Sequence, residues 1–128
     1  MATVELTAAN IESKITENDI VFVDFWAEWC GPCRMFGPVF EKASEQHPDA
    51  VFGKVDTEAQ QSLAASAGIT SIPTLMAFRD GILVFSQPGA LPEPALQDLI
   101  GQVKALDMDA VRASIAEAQA SAGANPAE

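Results

Sequence analysis

Cys30 and Cys33 are the only cysteines in this 128-residue chain, and Gly31 and Pro32 separate them. Such a pair can staple a fold, hold a metal or react. At the start of a helix, residues three apart lie about one turn apart on the same side, with Cα atoms roughly 5–6 Å apart, within reach of a disulfide. A loop this short removes little entropy from the unfolded chain, so stapling is a poor use for it. Zinc takes four ligands, and the single histidine, His47, cannot complete a site without carboxylates. Standing before Pro48, His47 reads as a solvated helix end. No metal is expected. Reaction is the use that fits.

Position then divides the labour. At a helix N-terminus, unpaired backbone N–H groups and the helix dipole favour a thiolate on Cys30. Cys33, one turn inside, is expected to be more buried and less acidic. Cys30 therefore attacks a substrate disulfide, and Cys33 attacks the Cys30 sulfur to release the reduced product. Pro32 suits a first helical turn and withholds a donor from the thiolate, while Gly31 completes the motif in a supporting role. Trp29 can shield one side of the pair. Cys33 needs a base, and Asp24 is the candidate. It is the one charge inside the apolar run Ile20–Trp26, where desolvation raises a carboxyl pKa towards neutrality. The competing reading is an aspartate at a strand end, facing water. Lys54 is either a partner for Asp24 or an ordinary edge lysine.

Alternating elements must hold these residues. Thr7 is placed to cap a short helix over 8–15. Residues 20–26 form a buried strand, and 30–47 a helix with Phe36, Val39, Phe40 and Ala43 on one face. A second strand spans 51–55. A short alanine-rich helix follows over 59–67, closed by Gly68. Strands at 74–79 and 82–86 meet at Asp80–Gly81, a strong hairpin signal. Pro92 and Pro94 start a last helix carrying Leu96, Leu99, Ile100, Val103 and Leu106. This α/β order allows a parallel crossover sheet with an antiparallel edge, covered by helices on both faces. From Asp107 the chain turns alanine-rich and buries little. Met108, Val111 and Ile115 form a thin stripe on a marginal helix to about 119, and a disordered tail follows. The stripe docks on the protein itself or on a partner.

Composition bounds the function. The length fits one domain, and 48% hydrophobic residues suffice for a core. A net charge of −11 opposes nucleic acid and anionic membranes. It reads as solubility or as steering towards basic partners. The first ten residues have neither a basic segment nor an apolar run, so no signal peptide is expected, and no stretch is long and apolar enough to span a membrane. A cytoplasmic protein is the expectation, in a compartment where a close cysteine pair is catalytic or metal-binding more often than structural.

Together these residues resemble the thioredoxin family. The resemblance rests on Val23-Asp24-Phe25-Trp26-Ala27 running into Trp29-Cys30-Gly31-Pro32-Cys33, then Arg34 and Pro38, Lys54-Val55-Asp56, Ile72-Pro73-Thr74, Asp80-Gly81 and Gly89-Ala90. It covers about residues 3–106 and leaves 107–128 as an extension without a counterpart in short members. The resemblance implies a thioredoxin fold with a central mixed five-stranded sheet flanked by four helices, here with an extra C-terminal helix or tail. It implies a cis bond between Ile72 and Pro73, substrate contacts at Ile72, Pro73, Gly89 and Ala90, and a helix kink at Pro38. Glu28 and Ser71 depart from common family residues on the contact surface and bear on partner choice.

The function implied is a general protein disulfide reductase, monomeric, with a redox-active Cys30–Cys33 disulfide and no bound cofactor. It would be recharged by thioredoxin reductase, through which NADPH enters only indirectly, and would act on disulfide-containing proteins. An oxidant or isomerase of the same fold would be expected to carry an export signal and a histidine between the cysteines. A non-catalytic binding subunit is the other alternative.

Overall fold

A computed structural model of the protein describes residues 2–123. Its sheet is built around β2 (Ile20–Trp26), whose residues are buried almost throughout. β3 (Val51–Asp56) pairs parallel to β2 on one side, and β4 (Thr74–Arg79) pairs antiparallel on the other. β1 (Val4–Glu5) and β5 (Ile82–Pro88) form the edges, giving the order β1-β3-β2-β4-β5. The residue patterns identify four of these strands. β1 has only two residues and therefore no periodicity to read.

Alternation along β2 sorts the core into two halves. Ile20 and Phe22 join Phe36, Phe40 and Ala43 of α2 (Gly31–Gln46) and Leu96, Ile100 and Val103 of α4 (Glu93–Ala105). Val21, Val23 and Phe25 pack with Leu6, Val55 and Met76, against residues of α1 (Ile11–Glu17) and α3 (Gln61–Ser66). Asp24 and Trp26 share the parity of Phe22, so they lie on the α2 face.

Local chemistry moves two helix starts, and the added helix ends later than expected. α1 begins at Ile11, not at residue 8. Thr7 Oγ1 accepts from Ala9 N–H and Asn10 Oδ1 accepts from Thr7 N–H, which closes a turn before the helix starts. Asp56 Oδ1 similarly takes the N–H groups of Glu58 and Ala59, delaying α3 to Gln61. The added helix, α5 (Met108–Gly123), runs beyond the expected residue 119. Asp107 Oδ1 caps it by accepting from Asp109 and Ala110 N–H. Met108 is buried, Val111 and Ile115 are half-buried, and Arg112 reaches Asp80 at 3.4 Å. The rest of the expected tail, from 124, lies outside the described residues.

His47 is no solvated helix end. It caps the C-terminus of α2, its ring stacks on Phe52, and its nitrogens meet Gln97 Oε1 at 2.8 Å and Lys104 Nζ at 2.7 Å. Packing of α4 beside α2 supplies both partners. At the hairpin, Asp80 and Gly81 both have positive φ, the geometry that a two-residue turn needs to match strand twist.

Gly53 is required by a close approach: a Cβ there would collide with the buried Leu6 side chain. Gly53→Ala is expected to lower the unfolding free energy by about 1–3 kcal/mol in denaturant melts. An unchanged midpoint would mean that Leu6 has room to move.

Candidate active site

The junction between β2 and α2 makes the site. Cys30 takes the N-cap position with an extended backbone, and its Sγ accepts the Cys33 N–H at 3.2 Å, as a serine oxygen would at an ordinary cap. The two cysteines are joined as a disulfide with Cα atoms 5.2 Å apart, inside the expected range. Closing and opening the bond thus needs little backbone movement. Cys30 Sγ also lies 3.7 Å from the Ile72 carbonyl oxygen.

Cys33 is not the more buried of the two; each cysteine exposes 4% of its surface. Both lie in one cluster with Ala27, against which Trp26 and Ile72 pack. Trp29, expected as a shield, is 65% exposed, and its indole N–H donates to Glu58 Oε1 at 2.9 Å. Glu58 has no sequence signal, because the contact joins loops 29 residues apart. Pro32 lies in the first turn of α2. Gly31 is not forced by crowding, since a Cβ there would touch nothing. Pro38 sits inside α2, where it withholds a backbone hydrogen bond.

Across from the pair, the Ile72–Pro73 peptide is cis, and Pro73 is buried. The Pro73 carbonyl accepts the Gly89 N–H at 2.8 Å, and Thr74 Oγ1 donates to Ser71 O at 2.6 Å. These bonds bring Ile72, Pro73 and Gly89 together beside Cys30, with Ala90 exposed next in the chain. Gly89 has φ +107, a conformation that favours glycine. Glu28 and Ser71 are both exposed at the surface.

Asp24 is fully buried, and neither of its carboxyl oxygens has a hydrogen-bond partner. Burial raises its pKa from 3.8 to about 7, against an opposing pull from Lys54. Lys54 stands in register with Asp24 on β3, but its Nζ lies over the Trp26 ring, 4.9 Å from the centroid. A solvent-open cavity of about 590 Å³ borders Cys33, Trp26, Gly37, Pro38 and Lys54. Among the described residues, no cluster of His, Cys, Asp and Glu side chains is suited to a metal, and no helix is long and apolar enough to cross a membrane. The arrangement can exchange disulfides at Cys30 and store a proton near neutral pH at Asp24.

Residues 2–102 match the thioredoxin family model. A protein described as a putative thioredoxin 2 of Streptomyces coelicolor is 63% identical over 122 residues, 95% of this chain and 91% of the relative. Bacillus subtilis thioredoxin is 38% identical over 103 residues, 80% of this chain and 98% of the relative. Among solved structures, a mutant thioredoxin from Halobacterium salinarum superposes with a TM-score of 0.76 at 38% identity, covering 81% of this chain and 92% of that one.

The buried carboxyl couples stability to pH. Folded Asp24 keeps its proton up to about pH 7, whereas in the unfolded chain it ionises near 3.8. Between these values the folded state binds more protons, so stability falls as pH rises through the window and levels off above it. At about 1.4 kcal/mol per unit, the loss is on the order of 4 kcal/mol. The stability difference between Asp24→Asn and the parent should therefore grow by that order from about pH 4 to about pH 8 in denaturant melts. A constant difference would refute the burial-driven shift.

Proposed function

This chain belongs to the thioredoxin family and is a protein disulfide reductase working through the Cys30–Cys33 couple, and from that premise we propose how its residues divide the reaction. The Cys30 thiolate attacks one sulfur of a protein disulfide, a mixed disulfide forms, and the other substrate sulfur leaves as a thiolate. Cys33 then gives its proton to Asp24 and attacks the Cys30 sulfur. The second substrate thiolate is released, and the Cys30–Cys33 disulfide closes. Two electrons have passed to the substrate. The observation that carries this order is the Cys30 sulfur at the α2 N-terminus, accepting a backbone N–H that stabilises a thiolate there.

Ile72, Pro73, Gly89 and Ala90 form the rim on which an extended substrate segment lies. Trp29, Pro32 and Gly31 shape its other side, and Lys54 modulates Asp24. Electrons return from NADPH through thioredoxin reductase. Residues 1–106 are the redox domain, a division supported by the family match ending at 102, and 107–128 are an extension. The protein acts as a monomer in the cytoplasm.

Cys33→Ser removes the resolving thiol, so target proteins should accumulate as mixed disulfides on Cys30, released by reductant on gels. Absence of adducts, or equal yields from Cys30→Ser, would reverse the assigned order. Asp24→Asn should slow resolution at neutral pH by on the order of tenfold to a hundredfold while slowing the first attack less. In the parent, resolution should accelerate as pH rises through about 7, because the ionised carboxylate is the acceptor. Stopped-flow tryptophan fluorescence separates the two steps; identical resolution rates in variant and parent would remove Asp24 from the mechanism.

A further inference from the structure

Lys54 has a choice of partners. It stands in register with Asp24, so the two side chains lie on the same face of adjacent strands. Trp26 is two residues beyond Asp24 and shares that face. Asp24 is entirely buried with both oxygens unpartnered, and the ammonium that could pair with it lies against the Trp26 ring instead. On another side, Nζ is 3.7 Å from the position a Cβ would take at Gly37 of α2, a place where the helix has no side chain. The cation thus has a cradle of its own, formed by an aromatic face and a bare stretch of helix and open to the cavity.

We propose that Trp26 is a positioning residue: its ring holds the Lys54 ammonium off the Asp24 carboxyl, which leaves that carboxyl free to take the Cys33 proton. The physical basis is a competition. A cation over an indole face keeps part of its hydration beside the open cavity, whereas a contact ion pair with Asp24 would require burying both charges. Without the ring, the ammonium loses the attraction that favours the cradle. It then spends more time near Asp24 and stabilises the ionised form. The inference rests on the reading of Asp24 as the proton acceptor, but the position of Lys54 can be measured without catalysis.

Other titratable and charged groups face Lys54 as well. Cys33, Arg34, Glu41, Lys42 and Glu45 of α2, with Glu28 before it, line the same cavity. Glu5 of β1 and Asp56 of β3 line a hollow beside it. None of them is altered in the variants below, so their effect is a common background that a double-mutant cycle removes.

The experiment is a carboxyl ¹³C NMR titration of Asp24 in the oxidised full-length protein, where no thiol titrates. Trp26→Leu should lower the Asp24 pKa by roughly half a unit to one unit. Trp26→Phe, which keeps a weaker aromatic face, should fall between it and the parent and serves if the leucine variant does not fold. In a Lys54→Met background, either Trp26 substitution should leave the Asp24 pKa unmoved. An equal shift with and without Lys54 would show that Trp26 acts by excluding water, and would overturn the proposal. So would no shift, or a rise, in the Lys54 background. Failure of Asp24 as the base appears separately, in the single-turnover rates of Asp24→Asn, and leaves this titration intact.

Discussion

A strand inside a sheet that is covered on both faces has no side on which to leave a polar group in water. Each such group must be paired, neutralised or tolerated at a cost. β2 is that strand, and Asp24 is its only charged residue. Its carboxyl is neither hydrogen-bonded nor exposed, so it resolves the conflict by holding a proton up to about pH 7. The rest of the site follows from that position. The strand delivers Asp24 to the α2 face, its register brings Lys54 alongside, and its end leads directly into the cysteine that caps α2. On the proposed mechanism, a destabilising feature of the core thereby also serves as the proton acceptor.

The redox pair depends on the same junction. A helix must satisfy its first N–H groups with something outside itself. Here one of them is met by Cys30 sulfur. That interaction strengthens as the sulfur gains negative charge, so on the proposed order of attack the helix cap favours a thiolate at Cys30. The same extended cap residue leaves Cys33 one turn along at disulfide distance. The helix start and the placement of the Cys30 sulfur thus rest on the same cap backbone.

Legibility in the sequence tracks how local the cause is. β2 could be read to the residue because its apolar run is unbroken on either side of Asp24. The hairpin could be read because Asp80–Gly81 carries its own backbone preference. The cysteine pair, Asp24 and Ile72-Pro73 were legible as types in a known order. Features set by distant partners were not. Glu58 holds Trp29 from another loop, and His47 finds its partners on α4. α1 and α3 start later than propensity predicts because side chains of Asn10, Thr7 and Asp56 take backbone donors that propensity alone would give to helix. Cys30 and Cys33 are equally buried in a cluster with Ala27 against which Trp26 and the sequence-distant Ile72 pack. Helical position alone does not reveal it.

The extension sits where it can be carried without obstructing this chemistry. β2 and β4 run antiparallel, so the end of β2 that bears the cysteines faces the start of β4 at Thr74, while Arg79 lies beside Ile20 at the opposite end. Thr74 to Arg79 spans roughly 17 Å of strand. α5 is tied at that far end. Arg112 reaches Asp80 in the hairpin, and Arg79 donates to the carbonyls of Val103, Lys104 and Leu106 just before α5 begins. The anchoring contacts of α5 therefore lie a strand's length from Cys30. The rim at Ile72, Pro73 and Gly89 is held instead by its own backbone bond between the two segments. Anchoring of α5 and access to the sulfurs are separated by the direction of a single strand pair.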